Sequence, residues 1–283
     1  MQAAAVKSIF SLLRMTRPAN ALIAVFTVAA GDFLAGAYPA PKVFVSECLA
    51  LAFSIAFANL ANDVLDVEAD RVNRPERPLP SGSVTLGSAR GAALFTILAA
   101  LVTGFLAGIP HGIFFIVLLA ALALYDKTLK HYPLLKNVSV AILCATPLIL
   151  PAIDGGKIHP ALLPPFAFAV LLTFAREIFK DLEDIDGDGQ AHIETLPMRI
   201  GPGNAVKLAT FTTLLAIFAV PLPVLAQVYS PTFFLCAGLT FIPPLIAVIL
   251  LARKAAFRKA QTLLKVSMLT GMLSAILSLA ISF

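Results

Sequence analysis

Tryptophan is absent from this sequence, cysteine occurs three times, histidine four times, and only 13% of the residues are charged. Each scarcity removes a class of protein. Cys48, Cys144 and Cys236 stand singly in apolar runs, so they read as small core residues and not as a disulfide framework or a thiolate metal set. His111, His131, His159 and His192 show no metal-ligand spacing and receive no catalytic role. So few charges cannot clothe a soluble chain of 283 residues. With 59% hydrophobic residues and a mean hydropathy of +0.91, the composition is that of an integral membrane protein.

What fills the chain instead is a series of apolar runs over 18–38, 43–65, 88–108, 112–124, 138–153, 161–179, 205–228, 232–251 and 262–283. Each is near the roughly 20 residues a spanning helix needs, the fourth and fifth being short and dependent on their neighbours. The expectation is an all-α protein of nine transmembrane helices. Proline pairs at Pro147 and Pro151, Pro164 and Pro165, Pro221 and Pro223, and Pro243 and Pro244 predict kinks, which a helical bundle tolerates because neighbours satisfy the freed backbone groups.

All the Lys and Arg residues except Lys42 and Lys157 fall at one set of span ends. Cytoplasmic loops carry such an excess, so the N-terminus is expected in the cytoplasm of a cell-membrane protein. The net charge of +5 is mostly this bias and gives no reason to expect nucleic acid. The first run resembles a signal peptide ending in "AGA" (35–37). The 17 residues before it and the chemistry of Arg17 and Asn20 favour its retention.

The sixteen acidic residues are concentrated: five lie between Asp63 and Glu76 and seven between Glu177 and Glu194. "NDVLDVEAD" (62–70) and "KDLEDIDGD" (180–188) align, with Asp63, Asp66 and Asp70 matching Asp181, Asp184 and Asp188 at a constant offset of 118 residues. "RPLPSG" (77–82) and "TLPMRIG" (195–201) echo each other further on. The pattern suggests a single domain over 1–283 with an internal repeat, each half bringing an acidic helix end to a shared site. On a continuous helix Asn59, Asp63, Asp66 and Asp70 would share one face, as would Glu177, Asp181, Asp184 and Asp188. Stacked carboxylates at a membrane face require positive charge. Oxygen ligands alone suit a hard divalent cation, and Mg²⁺ commonly shares carboxylates with substrate phosphates. A solvated acidic helix end would explain one such cluster better than two with identical spacing.

Cations and amides accompany the carboxylates. Arg71, Arg74 and Arg77 are candidate phosphate clamps, with positive-inside bias as the competing explanation. Arg176 and Lys180 either contact phosphate or pair with Glu177 or Asp184. "YDKTLKHYPLLKN" (125–137) contributes Tyr125, Lys130 and Asn137 as candidates, a weak signal by itself. "RMTRPAN" (14–20) opens the first span and places Arg17 and Asn20 at the membrane edge, and Asn59 and Asn62 complete the set.

With these motifs the chain resembles the UbiA superfamily of intramembrane prenyltransferases over nearly its whole length. The resemblance implies nine helices around a central cavity under a cytoplasmic cap. It also implies that the Asp motifs hold Mg²⁺ and a prenyl diphosphate donor. "NRPERPLPSG" followed by "REIFKDLEDIDGD" is most similar to archaeal-type members that add a second geranylgeranyl chain to geranylgeranylglyceryl phosphate. An aromatic acceptor such as 4-hydroxybenzoate, sharing the donor half of the site, is the alternative. A divalent-cation transporter is a more remote one, since only Asp32, Glu47 and Asp154 are acidic candidates on the opposite side. The "DG…AR…G…D…D" pattern of CDP-alcohol phosphatidyltransferases is absent.

Overall fold

The structure is a computed structural model that describes residues 2–190 and 194–281, and the described residues contain helices and no strand. Among the described residues, nine helices are long and apolar enough to cross a membrane: Pro18–Ala35, Pro41–Leu65, Leu86–Ala107, Ile109–His131, Pro133–Asp154, Pro160–Glu183, Pro202–Leu225, Thr232–Arg253 and Phe257–Ile281. Their outward side chains are apolar, with Leu22 71% and Phe218 73% exposed, a surface that lipid covers and water would not. The protein is an integral membrane protein.

The chain forms two compact units, one of residues 1–28 and 39–129, the other of 29–38 and 130–283. The first unit begins with α1 (Gln2–Met15) and most of α2 (Pro18–Ala35), and continues through α3 (Pro41–Leu65), α4 (Val67–Asn73), α5 (Leu86–Ala107) and α6 (Ile109–Lys127). Prolines in the first turn start α3 and α6, where a missing N–H costs nothing. Thr85 caps α5 by accepting from the Ser88 N–H at 3.1 Å. Gly108, at φ 155°, ends α5 and leads straight into α6. The α5–α6 pair is tight because each helix seats a ring on the other's glycine. A Cβ on Gly104 would lie 2.7 Å from the Phe115 ring, and one on Gly112 2.3 Å from the Phe105 ring.

The second unit contains α7 (Pro133–Ala145), α8 (Leu150–Asp154), α9 (Leu163–Glu183), α10 (Ile185–Gln190), α11 (Leu196–Ile200), α12 (Pro202–Ala219), α13 (Leu222–Leu225), α14 (Thr232–Thr240), α15 (Ile242–Arg253) and α16 (Phe257–Ile281). Helix α9 is central: α7, α12 and α16 all pack against it, burying Leu172, Ile178 and Phe179.

Three expectations are corrected. The fourth and fifth spans are not short, at 23 and 22 residues, because the helices continue through polar residues such as Asp126 and begin at prolines outside the apolar runs. Only three of the proline pairs interrupt a span. Pro147 lies in a 3-10 turn between α7 and α8, Pro221 separates α12 from α13, and Pro243 and Pro244 open α15, whereas Pro164 and Pro165 occupy the first turn of α9. The carboxylate ladders are not continuous either. Helix α3 ends at Leu65 and α4 begins at Val67; α9 ends at Glu183 and α10 begins at Ile185. The residues at the breaks, Asp66 (φ −93°, ψ 8°) and Asp184 (φ −91°, ψ 4°), share one local geometry. A 25-residue α3 is already about 37 Å long, more than the roughly 30 Å of a hydrocarbon core, so spanning does not require it to continue past Leu65.

Candidate active site

In the first unit, the residues that end α3 meet two arginines. Asp63 and Asp70 are buried, Asp63 in the last turns of α3 and Asp70 in α4. Arg77 reaches across the break to both, at 2.5 Å from Asp70 and 3.6 Å from Asp63. Arg17 donates to Asn59 Oδ1 at 2.8 Å and to Asp63 at 2.9 Å. To do so it adopts φ 51° between α1 and α2, a left-handed conformation that a non-glycine residue holds only when its surroundings impose it. Asn59 helps to impose it, its side-chain amide donating to the Thr16 carbonyl at 3.2 Å and to the Ile55 carbonyl at 2.8 Å. The sequence pattern therefore brings Arg17, Asn59, Asp63, Asp70 and Arg77 into one network.

The other candidates of this unit are placed differently. Arg71 is exposed and pairs with Glu68 at 2.8 Å, one turn back on α4, so its visible partner is a surface carboxylate. Asn20 is exposed in the first turn of α2. Asn62 is half-buried and its carbonyl accepts the Asp66 N–H at 2.9 Å. Asp66, Arg74 and Tyr125 are half-buried, Tyr125 near the end of α6.

The second unit builds a comparable arrangement from different side chains. Asp181 is buried, its two oxygens held by Lys136 Nζ at 2.6 Å and by the Asn137 side-chain amide at 3.2 Å. Both partners lie on α7, the helix packed against α9. Asn137 is fully buried, and its Oδ1 has no hydrogen-bond partner among the described residues. One turn before Asp181, buried Glu177 pairs with Arg176 at 2.5 Å and with Lys180 at 3.9 Å, so of the two expectations for these cations the visible contact is the carboxylate. Lys130, in a 3-10 turn (Leu129–His131), and Asp184 are half-buried. Asp188 on α10 is half-buried. Burial raises its carboxyl above the usual range, Lys136 works against that, and the charges of Asp184 and Asp181 add to it.

Lys136 is the residue that the motifs alone do not single out. Its signal lies in position: Arg17 precedes Asp63 by 46 residues and Lys136 precedes Asp181 by 45, and each basic residue stands at the start of the span before its motif. The three cysteines are free thiols. His192 lies outside the described residues.

The profile of the UbiA prenyltransferase family matches residues 24–273. The chain belongs to that family. This UbiA member is 36% identical over 275 residues to the digeranylgeranylglyceryl phosphate synthase of Methanopyrus kandleri, a match covering 94% of the chain and 98% of the relative. A solved structure of digeranylgeranylglyceryl phosphate synthase is similar, with a TM-score of 0.76 at 26% identity, covering 98% of this chain and 99% of that one. A UbiA homolog from Archaeoglobus fulgidus bound to GPP and Mg²⁺ shares the fold, with a TM-score of 0.65 at 15% identity, covering 95% and 99%. Membership in the UbiA family makes the protein a prenyltransferase.

Proposed function

We propose that this prenyltransferase moves a geranylgeranyl group from its diphosphate to the hydroxyl of geranylgeranylglyceryl phosphate, forming the second ether bond of an archaeal-type membrane lipid. The likeness to the Methanopyrus kandleri synthase over almost the full length of both chains carries this reading. We read the chain as one domain over 1–283 with an internal repeat. The helix ends at Leu65 and Glu183, the breaks at Asp66 and Asp184 and the cations Arg17 and Lys136 support it. The basic bias supports a cytoplasmic N-terminus, with the acidic motifs on the same side.

Asp63, Asp66, Asp70, Asp181, Asp184 and Asp188 are the carboxylates that would hold Mg²⁺. The donor set fits a hard divalent ion: the ligands are oxygens, and Asn137 Oδ1 is a buried oxygen beside Asp181 with no hydrogen-bond partner among the described residues. When bound, Mg²⁺ neutralises the diphosphate and favours its departure as a leaving group. Arg17, Arg77, Lys136 and Lys180 add fixed positive charge for phosphate oxygens. As the C1–O bond of the donor breaks, an allylic cation forms that water would quench, and apolar helices rich in Phe and Leu exclude it. The acceptor hydroxyl bonds to C1, and its proton passes to a carboxylate or to the departing diphosphate.

Both motifs are required on this account. Asp66→Asn and Asp184→Asn each abolish turnover while the protein keeps its wild-type elution and thermal midpoint; full activity in both variants would sink the metal role. In isolated membranes containing labelled geranylgeranyl diphosphate, geranylgeranylglyceryl phosphate suppresses any aromatic product. Suppression in the opposite direction would replace the acceptor.

A further inference from the structure

A groove of about 450 Å³ lies on the second unit between α15 and α16, lined by Leu251, Arg258, Lys259, Thr262, Leu263 and Val266. It is a shallow, open furrow on the lipid-facing side of the two helices, its walls mostly apolar. Its polarity is graded along the span. Arg258 and Lys259 stand at the start of α16, while Leu263 and Val266 lie one to two turns further in, on a helix that crosses the membrane from Phe257 to Ile281. Leu251 forms the facing wall near the end of α15.

Charge at the basic end is one-sided. Residues 242–281 carry Arg253, Lys254, Arg258, Lys259 and Lys265 and no acidic residue. Acids of α9 meet them: Glu177, whose charge acts on Lys265, and, at the helix end, Glu183. Arg258 Nε lies 3.0 Å from its carboxylate, and the Gln261 amide donates to its other oxygen. This contact engages Nε, and the rest of the guanidinium faces outward on a side chain that is 87% exposed. It also places the basic end of the groove at the same end of α9 as Asp184.

We propose that this groove binds an anionic phospholipid, its phosphate on Arg258 and Lys259 and one hydrocarbon chain along Leu251, Leu263 and Val266. A free phosphate would leave the apolar walls uncovered, and a neutral lipid would bring no net negative charge to Arg258 and Lys259. In a bilayer the phosphate stands at the span end and the chain runs inward, which is the order of residues in the groove. A lipid seated here does not depend on which acceptor the enzyme takes.

The lack of tryptophan supplies the test. Val266→Trp, at a position 43% exposed, reports on the groove, and Leu235→Trp on α14, at a position 67% exposed, reports on bulk lipid. Each variant is placed in phosphatidylcholine nanodiscs containing a minor fraction of brominated phosphatidic acid or, separately, brominated phosphatidylcholine. Each basic side chain near a membrane surface favours an anionic lipid by roughly fivefold. The expected result is at least about fivefold enrichment of phosphatidic acid around the groove indole relative to the bulk-lipid indole, judged by quenching. Lys259→Ala lowers the enrichment, Arg258→Ala with Lys259→Ala removes it, and millimolar inorganic phosphate leaves it in place. Equal quenching by the two brominated lipids, retention in the double variant, or displacement by inorganic phosphate would overturn the proposal.

Discussion

Asp181 is 2% exposed, and its oxygens are held by Lys136 and Asn137. Removing one partner of a buried ion pair leaves an uncompensated charge, at a cost of about 3–5 kcal/mol. Lys136→Met is therefore expected to lower stability by about 3 kcal/mol in metal-free detergent solution, read as a drop in the thermal midpoint. Adding Asp181→Asn in the same chain recovers most of the loss; a single variant that melts with the wild type would contradict a pair that matters. Arg17 is a second case, since its planar fork serves Asn59 and Asp63 from two different amino groups. Lysine is a point charge and cannot hold both. Losing one hydrogen bond to a charged network costs about 1.5–3 kcal/mol of stability, so Arg17→Lys is expected to lower the thermal midpoint, and kcat/KM for the donor falls as well if Arg17 also meets its phosphates. Unchanged kinetics would show that Arg17 is only a structural cap.

Among the helices, α5 and α6 offer the sharpest packing prediction. The rings of Phe105 and Phe115 occupy the space that side chains at Gly112 and Gly104 would need, the close approach that small residues give membrane helices in place of a hydrophobic driving force. Gly112→Leu is expected to destabilise the protein by about 1–3 kcal/mol through overpacking, and Phe105→Ala in that background to restore much of it, both read from thermal unfolding in detergent. No loss in the single variant would mean that the two helices can separate freely. At this scale the sequence is only partly readable. Length and hydropathy yield the nine spans because the bilayer sets both. The breaks at Asp66 and Asp184 are hidden, since no glycine or proline adjoins either residue. Lys136 is hidden for another reason. It reads as one interface lysine among several, and the packing of α7 against α9 is what brings it to Asp181.

For the whole molecule, the paired acidic motifs are legible because their spacing repeats at 118 residues, as is the local partner Arg77, whereas the pairing of Asp181 with Lys136 is not, because Lys136 comes from another span. In the first unit Arg17 and Arg77 neutralise Asp63 and Asp70; in the second, Lys136 neutralises Asp181. Protein cations thus stand beside the carboxylates proposed to hold Mg²⁺, and activity should depend on free Mg²⁺ even where the fold does not. The decisive measurement is product formation by purified protein given labelled geranylgeranyl diphosphate, with geranylgeranylglyceryl phosphate and 4-hydroxybenzoate offered in parallel, each with Mg²⁺ and with EDTA. The expected product is a labelled diether phosphate that EDTA abolishes and added Mg²⁺ restores. An aromatic product, or a diether formed equally well in EDTA, would contradict it.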